Sequence, residues 1–214
     1  MPDVRVHIGT VHCKKTEDTG ILGSRDELYL TGTVLGGSSS RVVLTDKLSI
    51  DNGERLTYPD PELFVGRVPD GHPVRIALSA WDADSASTWK NKRKLIDAGQ
   101  ERLDEELAGR GTDGTVTGPR DPSSDQAREL LRIVIDALQQ LGESDDDDLL
   151  GTLTIDIPVD NRSVVSTVGH RWDFYGDGSD YTIGITVESR RDGATDADVA
   201  AWRQKMAEMR RRRN

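Results

Sequence analysis

Apolar and polar residues alternate in several short runs along the chain, the two-residue period of a strand with one buried face. Val4, Val6 and Ile8 fall on one side of such a run and Arg5 and His7 on the other, so residues 3–13 read as a half-buried strand. Residues 27–35 (ELYLTGTVL) form a second, and residues 41–50 (RVVLTDKLSI) are extended. Leu63, Phe64 and Val65 make a short apolar patch, and Val74, Ile76, Leu78 and Ala80 alternate clearly. The pattern returns at Leu153, Ile155 and Ile157, at residues 164–168, and at Tyr181, Ile183, Ile185 and Val187. Turn-forming glycine, serine, asparagine and aspartate separate these runs at 36–40, 51–53 and 176–180.

The period changes in the middle of the chain. Trp89, Ile96, Leu103 and Leu107 recur at helical spacing within the charged stretch 87–109. Residues 110–122, rich in Gly, Pro and Thr, form a connector. Ser123 and Gln126 have capping-box spacing, and Ala127, Leu131, Val134, Leu138 and Leu141 then form an apolar stripe that stops at Gly142. Near the end, Thr195 and Asp198 suggest another cap ahead of Val199, Trp202, Met206 and Met209, and four arginines follow at 210–213. The expected fold is mainly β: an antiparallel, eight-stranded β-sandwich over residues 1–190, interrupted by an α-helical hairpin inserted at 86–144. A C-terminal amphipathic helix with a basic tail occupies 194–214. The first stripe is expected to pack on the neighbouring helix of the hairpin, and the C-terminal one to dock on the sandwich.

Composition narrows the partners. With 214 residues the chain suits one domain carrying an insertion or a small appendage. The net charge of −10 opposes non-specific nucleic-acid binding, because phosphates are repelled, but it admits cations and basic partners. Cys13 is the one cysteine, so no intramolecular disulfide forms and a reduced setting is expected. The start, Met1-Pro2-Asp3-Val4, has neither the basic nor the apolar region of a signal peptide, and no apolar run is long enough to span a bilayer. A cytoplasmic protein without a transmembrane segment, peripheral to a membrane at most, is the expectation.

The chemistry lies in aspartates placed where loops meet strands. Asp82 and Asp84 follow the run VRIALSAW, and side chains two apart on a strand point the same way. Trp81 then faces the other side and can enter the core. Two carboxylates aimed together repel unless a cation or a proton intervenes. Calcium, which takes six to eight oxygen ligands, suits such a pair. Asp18 and Asp26 bracket a glycine-containing loop, and Asp148 closes the acidic run 143–148 just before another strand.

The chain resembles the C2 domains, the calcium- and phospholipid-binding β-sandwiches. Their first loop, D-x-x-G-x-S-D-P-Y, is similar to the stretch from Asp18 through Gly20, Ser24 and Asp26 to Tyr29. Their D-x-D after a strand is similar to Asp82-Ala83-Asp84, and their later D-x-x-G to Asp148-Leu149-Leu150-Gly151. The resemblance implies calcium ligands at Asp18, Asp26, Asp82, Asp84 and Asp148, with Glu17 and Asp147 as auxiliaries; Asp177, in the acidic turn 176–180, is a further auxiliary candidate. It covers residues 3–85 and 145–188. The chain departs from the pattern in a longer first loop, where Glu17 could replace Asp18, in Glu27 where proline is usual, and in about 60 residues between Asp84 and Asp148.

Other residues carry less. His7 and His12 lie five apart in one strand, so alternation sets them on opposite faces, unable to share a metal. Cys13 reads as a small buried hydrophobe. No nucleophile elbow, phosphate loop or dinucleotide fingerprint occurs, and Gly176–Asp180 reads as a hairpin turn. The expected function is non-enzymatic. It is a calcium-binding module that attaches to a phospholipid surface or a protein partner, or a calcium-independent adaptor that holds a protein through its inserted and C-terminal helices.

Overall fold

The computed structural model describes residues 1–16, 25–59, 61–83, 93–94, 96–97, 99–101, 103–105, 132, 136, 147–160 and 163–211. The chain enters one sheet at β1 (Asp3–Lys15) and crosses to a second for β2 (Asp26–Gly36), β3 (Ser39–Leu44) and β4 (Leu48–Ile50). It returns for β5 (Arg55–Thr57) and β6 (Glu62–Arg67), then crosses again for β7 (Pro73–Asp82) and β8 (Asp148–Pro158). β9 (Val165–Gly176) and β10 (Ser179–Arg190) complete the first sheet, and helix α1 (Asp196–Arg211) follows.

Every strand pairing is antiparallel. β5 and β6 share one flank of β1, and β3 and β4 share one flank of β2. The ten strands of the described residues thus fill four lanes in each sheet: β5/β6, β1, β10, β9 in the first and β3/β4, β2, β7, β8 in the second. β10 shows why the sheets stack: Tyr181, Ile183, Ile185 and Val187 are buried on one side, while Thr182, Thr186 and Glu188 stay partly exposed on the other. They meet Leu28, Leu30, Val34, Ile76 and Leu78 of the second sheet in one continuous apolar core. The result is a mainly β, sandwich-like fold.

β2 and β7 are buried on both faces. On the side of the second sheet away from the main core, Tyr29 and Trp81 stack and pack with Ala83 and Leu44. This corrects the sequence expectation for Trp81: the tryptophan is buried, but in this second cluster, while Asp82 occupies the row of Ile76, Leu78 and Ala80. The described residues between 93 and 105 are helical, with Leu103 buried, as the helical spacing predicts. Gln100 reaches the edge of β3, where its Oε1 accepts the Val42 N–H at 2.6 Å. Residues 132 and 136 are helical, and the rest of the second predicted helix lies outside the described residues, as do Trp89 and Leu107.

Several boundaries differ from those read in the sequence. The extended run 41–50 is two strands, because the regular ladder ends at Thr45, whose N–H still donates to the Leu30 carbonyl at 3.0 Å. Its hydroxyl accepts the Leu30 N–H at 2.9 Å and shares a hydrogen bond with the Tyr58 hydroxyl at 2.8 Å. β9 extends to Gly176, its later half hidden from pattern reading by charges on its outward side. β1 carries an irregularity between Ile8 and Val11, so His7 pairs with Thr186 and His12 with Thr182, which share the outer face of β10. The two histidines therefore lie on one face rather than on opposite ones: the extra residue of the bulge resets the alternation. Four residues of β10 still separate them, about 13 Å at strand rise, too far for one metal.

At α1, the Thr195 N–H donates to Asp198 at 2.8 Å and the Asp198 N–H donates to the Thr195 hydroxyl at 3.2 Å, the reciprocal cap that the sequence predicts. The helix lies beside the outer face of the first sheet, with Arg190 and Asp196 paired at 2.8 Å and Arg203 3.7 Å from Glu188. None of its described side chains is fully buried.

Candidate functional site

Alternation along β7 carries the inward row Ile76, Leu78, Ala80 to Asp82, the last residue of the strand. The ladder sets Asp82 between Leu28 of β2 and Asp148 of β8, each a direct Cα partner. Two carboxylates directly opposite on adjacent antiparallel strands share one face and repel. The Glu27 N–H donates to Asp82 Oδ1 at 2.8 Å, and the Ala83 N–H returns to the Glu27 carbonyl at 3.2 Å, so the strand ends are tied together.

Asp26 begins β2 two residues before Leu28, on the same inward row and at the same end of the sheet. It is buried, and its Oδ2 accepts the Tyr181 hydroxyl at 2.5 Å and the Ser179 hydroxyl at 3.1 Å. Both donors belong to β10, so this carboxylate clamps the two sheets together. Charge-assisted bonds of this kind are the stronger hydrogen bonds of a protein. Asp147 adjoins Asp148 and is also buried, its Oδ2 accepting the Tyr29 hydroxyl at 2.6 Å. Asp177 is exposed in the β9–β10 turn with φ of 45°, followed by Gly178 with φ of 81°. Positive φ at both positions is what a tight two-residue hairpin requires, and aspartate and glycine supply it.

Of the five primary candidates, Asp26, Asp82 and Asp148 thus gather at one end of the second sheet. Asp18 and Asp84, and the auxiliary Glu17, lie outside the described residues. Among the described residues no group of three or more His, Cys, Asp or Glu side chains is arranged to hold a metal ion. Asp26 already accepts from two hydroxyls and Asp82 from the Glu27 N–H, and carboxylates are the donor chemistry a hard cation takes. Tyr29, Ser179 and Tyr181 were not legible as site residues. The available signal is a tyrosine at a strand position that the pattern buries, since a buried phenol needs a hydrogen-bond partner.

Burial pushes the Tyr181 hydroxyl far above its usual range, with the neighbouring Asp26 adding to the rise. Cys13, its ladder partner on β1, is buried, and loss of solvent lifts its thiol from 9.0 to about 11. Tyr58 is raised for the same reason. A group whose folded value is raised contributes stability that is complete below its unfolded value and lost as the pH rises through the folded one. Stability should therefore fall as pH climbs from about 9 to about 11, the window set by Cys13. Urea midpoints measured across that window check this, and Cys13→Ala should flatten the slope. A midpoint that stays constant in the parent chain would contradict it.

Compared with protein-family models, curated proteins and solved structures, the chain matches none.

Proposed function

We propose that this protein is a non-enzymatic binding module of C2-like type whose acidic end takes calcium and, through it, an anionic phospholipid surface or a protein partner. The observation that carries the reading is the direct ladder pairing of Asp82 with Asp148 at the end where Asp26 begins β2. A hard divalent cation relieves the repulsion of that pair, and carboxylates are the ligands calcium prefers. Asp84, two residues beyond Asp82, and Asp18 would complete the oxygen set, with Glu17, Asp147 and Asp177 as auxiliaries. A calcium held by one rim of a sandwich keeps open positions for a phosphate or a partner carboxylate.

Calcium binding to the native state alone raises stability by about 2.7 kcal/mol at a hundredfold excess over Kd. For a chain of this length that is a rise in Tm of roughly 5–10 °C. The double variant Asp82→Asn/Asp84→Asn, which keeps an acceptor for the Glu27 N–H, should remove the rise. A parent chain whose Tm ignores millimolar calcium rejects the reading.

One observation favours a calcium-independent adaptor instead. α1 presents Val199, Trp202 and Met206 only half buried and Met209 41 % exposed, an apolar stripe incompletely covered by the body. On that reading, deleting residues 195–214 abolishes partner capture while the sandwich still folds, and calcium has no effect.

A further inference from the structure

A strand at the edge of a sheet presents a row of unpaired N–H and C=O groups, and proteins usually blunt it. Three of the four flanking lanes here are blunted. β5 and β6 are short, three and six residues. β3 is covered where Gln100 takes the Val42 N–H. β8 is kinked by an irregularity opposite Ala80 and Trp81 and ends at Pro158. Among the described residues β9 has none of these devices, and its outward charges are the oppositely signed Arg171 and Asp173. It pairs with β10 over twelve consecutive residues without a break, and it contains neither proline nor lysine.

The register fixes which groups of β9 face outward. The two-residue turn closes on the Gly176–Ser179 pair, and in such hairpins that pair is hydrogen-bonded. Bonded pairs then recur at every second residue, through 174–181, 172–183, 170–185 and 168–187. The backbone groups of Thr167, Gly169, Arg171, Asp173 and Tyr175 consequently point away from β10, and all five residues are exposed.

We propose that this edge pairs with the β9 edge of a second copy of the chain, antiparallel, about a two-fold axis at Trp172. Charge selects that register. Centred on residue 172, the pairing sets Arg171 opposite Asp173 of the second copy, twice by symmetry. Centred one residue to either side, it would set Arg171 against Arg171 or Asp173 against Asp173, and like charges directly opposite are destabilising. Asp173 is fully ionised for the purpose: the Thr182 hydroxyl and Arg171 hold its carboxyl down at about 2. Shape selects the same register independently, because it lays Tyr175 over Gly169 of the second copy. Tyr175 is 69 % exposed, and a side chain at Gly169 would meet nothing within 4 Å. An aromatic ring across from an edge glycine is a known stabilising pair. α1 lies elsewhere, beside Glu188 and Arg190.

The test is sedimentation velocity of the full chain over a wide concentration range. The parent chain should form a dimer. Asp173→Arg and Arg171→Asp should each raise the dimer dissociation constant by about tenfold or more, since each replaces two attractive pairs by two repulsive ones. The double swap Arg171→Asp/Asp173→Arg should restore dimerisation, but it also restores the ion pair that the two side chains make within one chain at 2.8 Å. Mixing the two single variants separates the roles, because they complement each other across the axis and not within a chain, so a mixed dimer should form. Circular dichroism checks that each variant folds, and Arg171→Glu stands in should either single variant fail. A parent chain that stays monomeric throughout overturns the proposal. So does a dimer that neither reversal weakens, or one that the double swap fails to restore.

Discussion

Gly32→Ala is expected to destabilise the protein by about 3–5 kcal/mol, combining backbone strain with overpacking. Gly32 lies inside β2 with φ of 154°, between Val43 of β3 and Leu78 of β7 in the ladder. A methyl group there would sit 2.1 Å from the Ala77 carbonyl oxygen and 2.8 Å from Leu78 Cα. Both obstacles are backbone, and the β2–β7 ladder runs unbroken on either side, so neither can move aside without breaking pairs. Gly184→Ala is the control: its methyl would meet the Thr10 carbonyl oxygen at an ordinary 3.7 Å. Urea unfolding followed by circular dichroism compares the two. A Gly32→Ala midpoint close to that of the parent would show that β2 can shift, against this account.

Trp81→Ala should lower stability by about 3–5 kcal/mol, the range for deleting a large buried aromatic side chain. Trp81 is fully buried, its ring lies 6.4 Å from that of Tyr29 at 14°, and its Nε1 donates to the Thr31 hydroxyl at 2.9 Å. Trp81→Phe keeps most of the buried surface and loses chiefly the hydrogen bond, about 1 kcal/mol. The same unfolding experiment separates the variants. If alanine were no worse than phenylalanine, the cluster of Tyr29, Trp81 and Ala83 would contribute no packing energy, and the outer face of the second sheet would not be a second core.

The strands were legible where one face is buried and the other wet. Val4, Val6 and Ile8, or Tyr181 through Val187, announce their period because water and the core demand opposite chemistry at adjacent positions. β2 and β7 are buried on both sides, so their alternation is blurred, and the side taken by Trp81 could not be read from the run itself. β5, three residues long, is too short to show a period. The later part of β9 is hidden because its outward residues, Arg171, Asp173 and Tyr175, make an exposed edge look like a loop. Plain alternation sets the two histidines on opposite faces, and one extra residue in β1 inverts everything beyond it.

For the acidic site, local sequence put aspartates at strand ends, and the ladder then set Asp82 opposite Asp148 across some 65 residues of chain. The partners of Asp26 are about 150 residues away, at Ser179 and Tyr181. No local pattern encodes such distances, since which strand neighbours which depends on how both sheets bury their apolar faces together. The sequence by itself determined the mainly β character, the turns, the terminal helix cap and the acidic character of the loop–strand junctions, because these follow from interactions among residues close along the chain. Only the tertiary structure decided strand order, the buried clamp between the sheets and the exposed edge at β9. Those properties arise from contacts between distant segments, which form when the whole chain closes around one core.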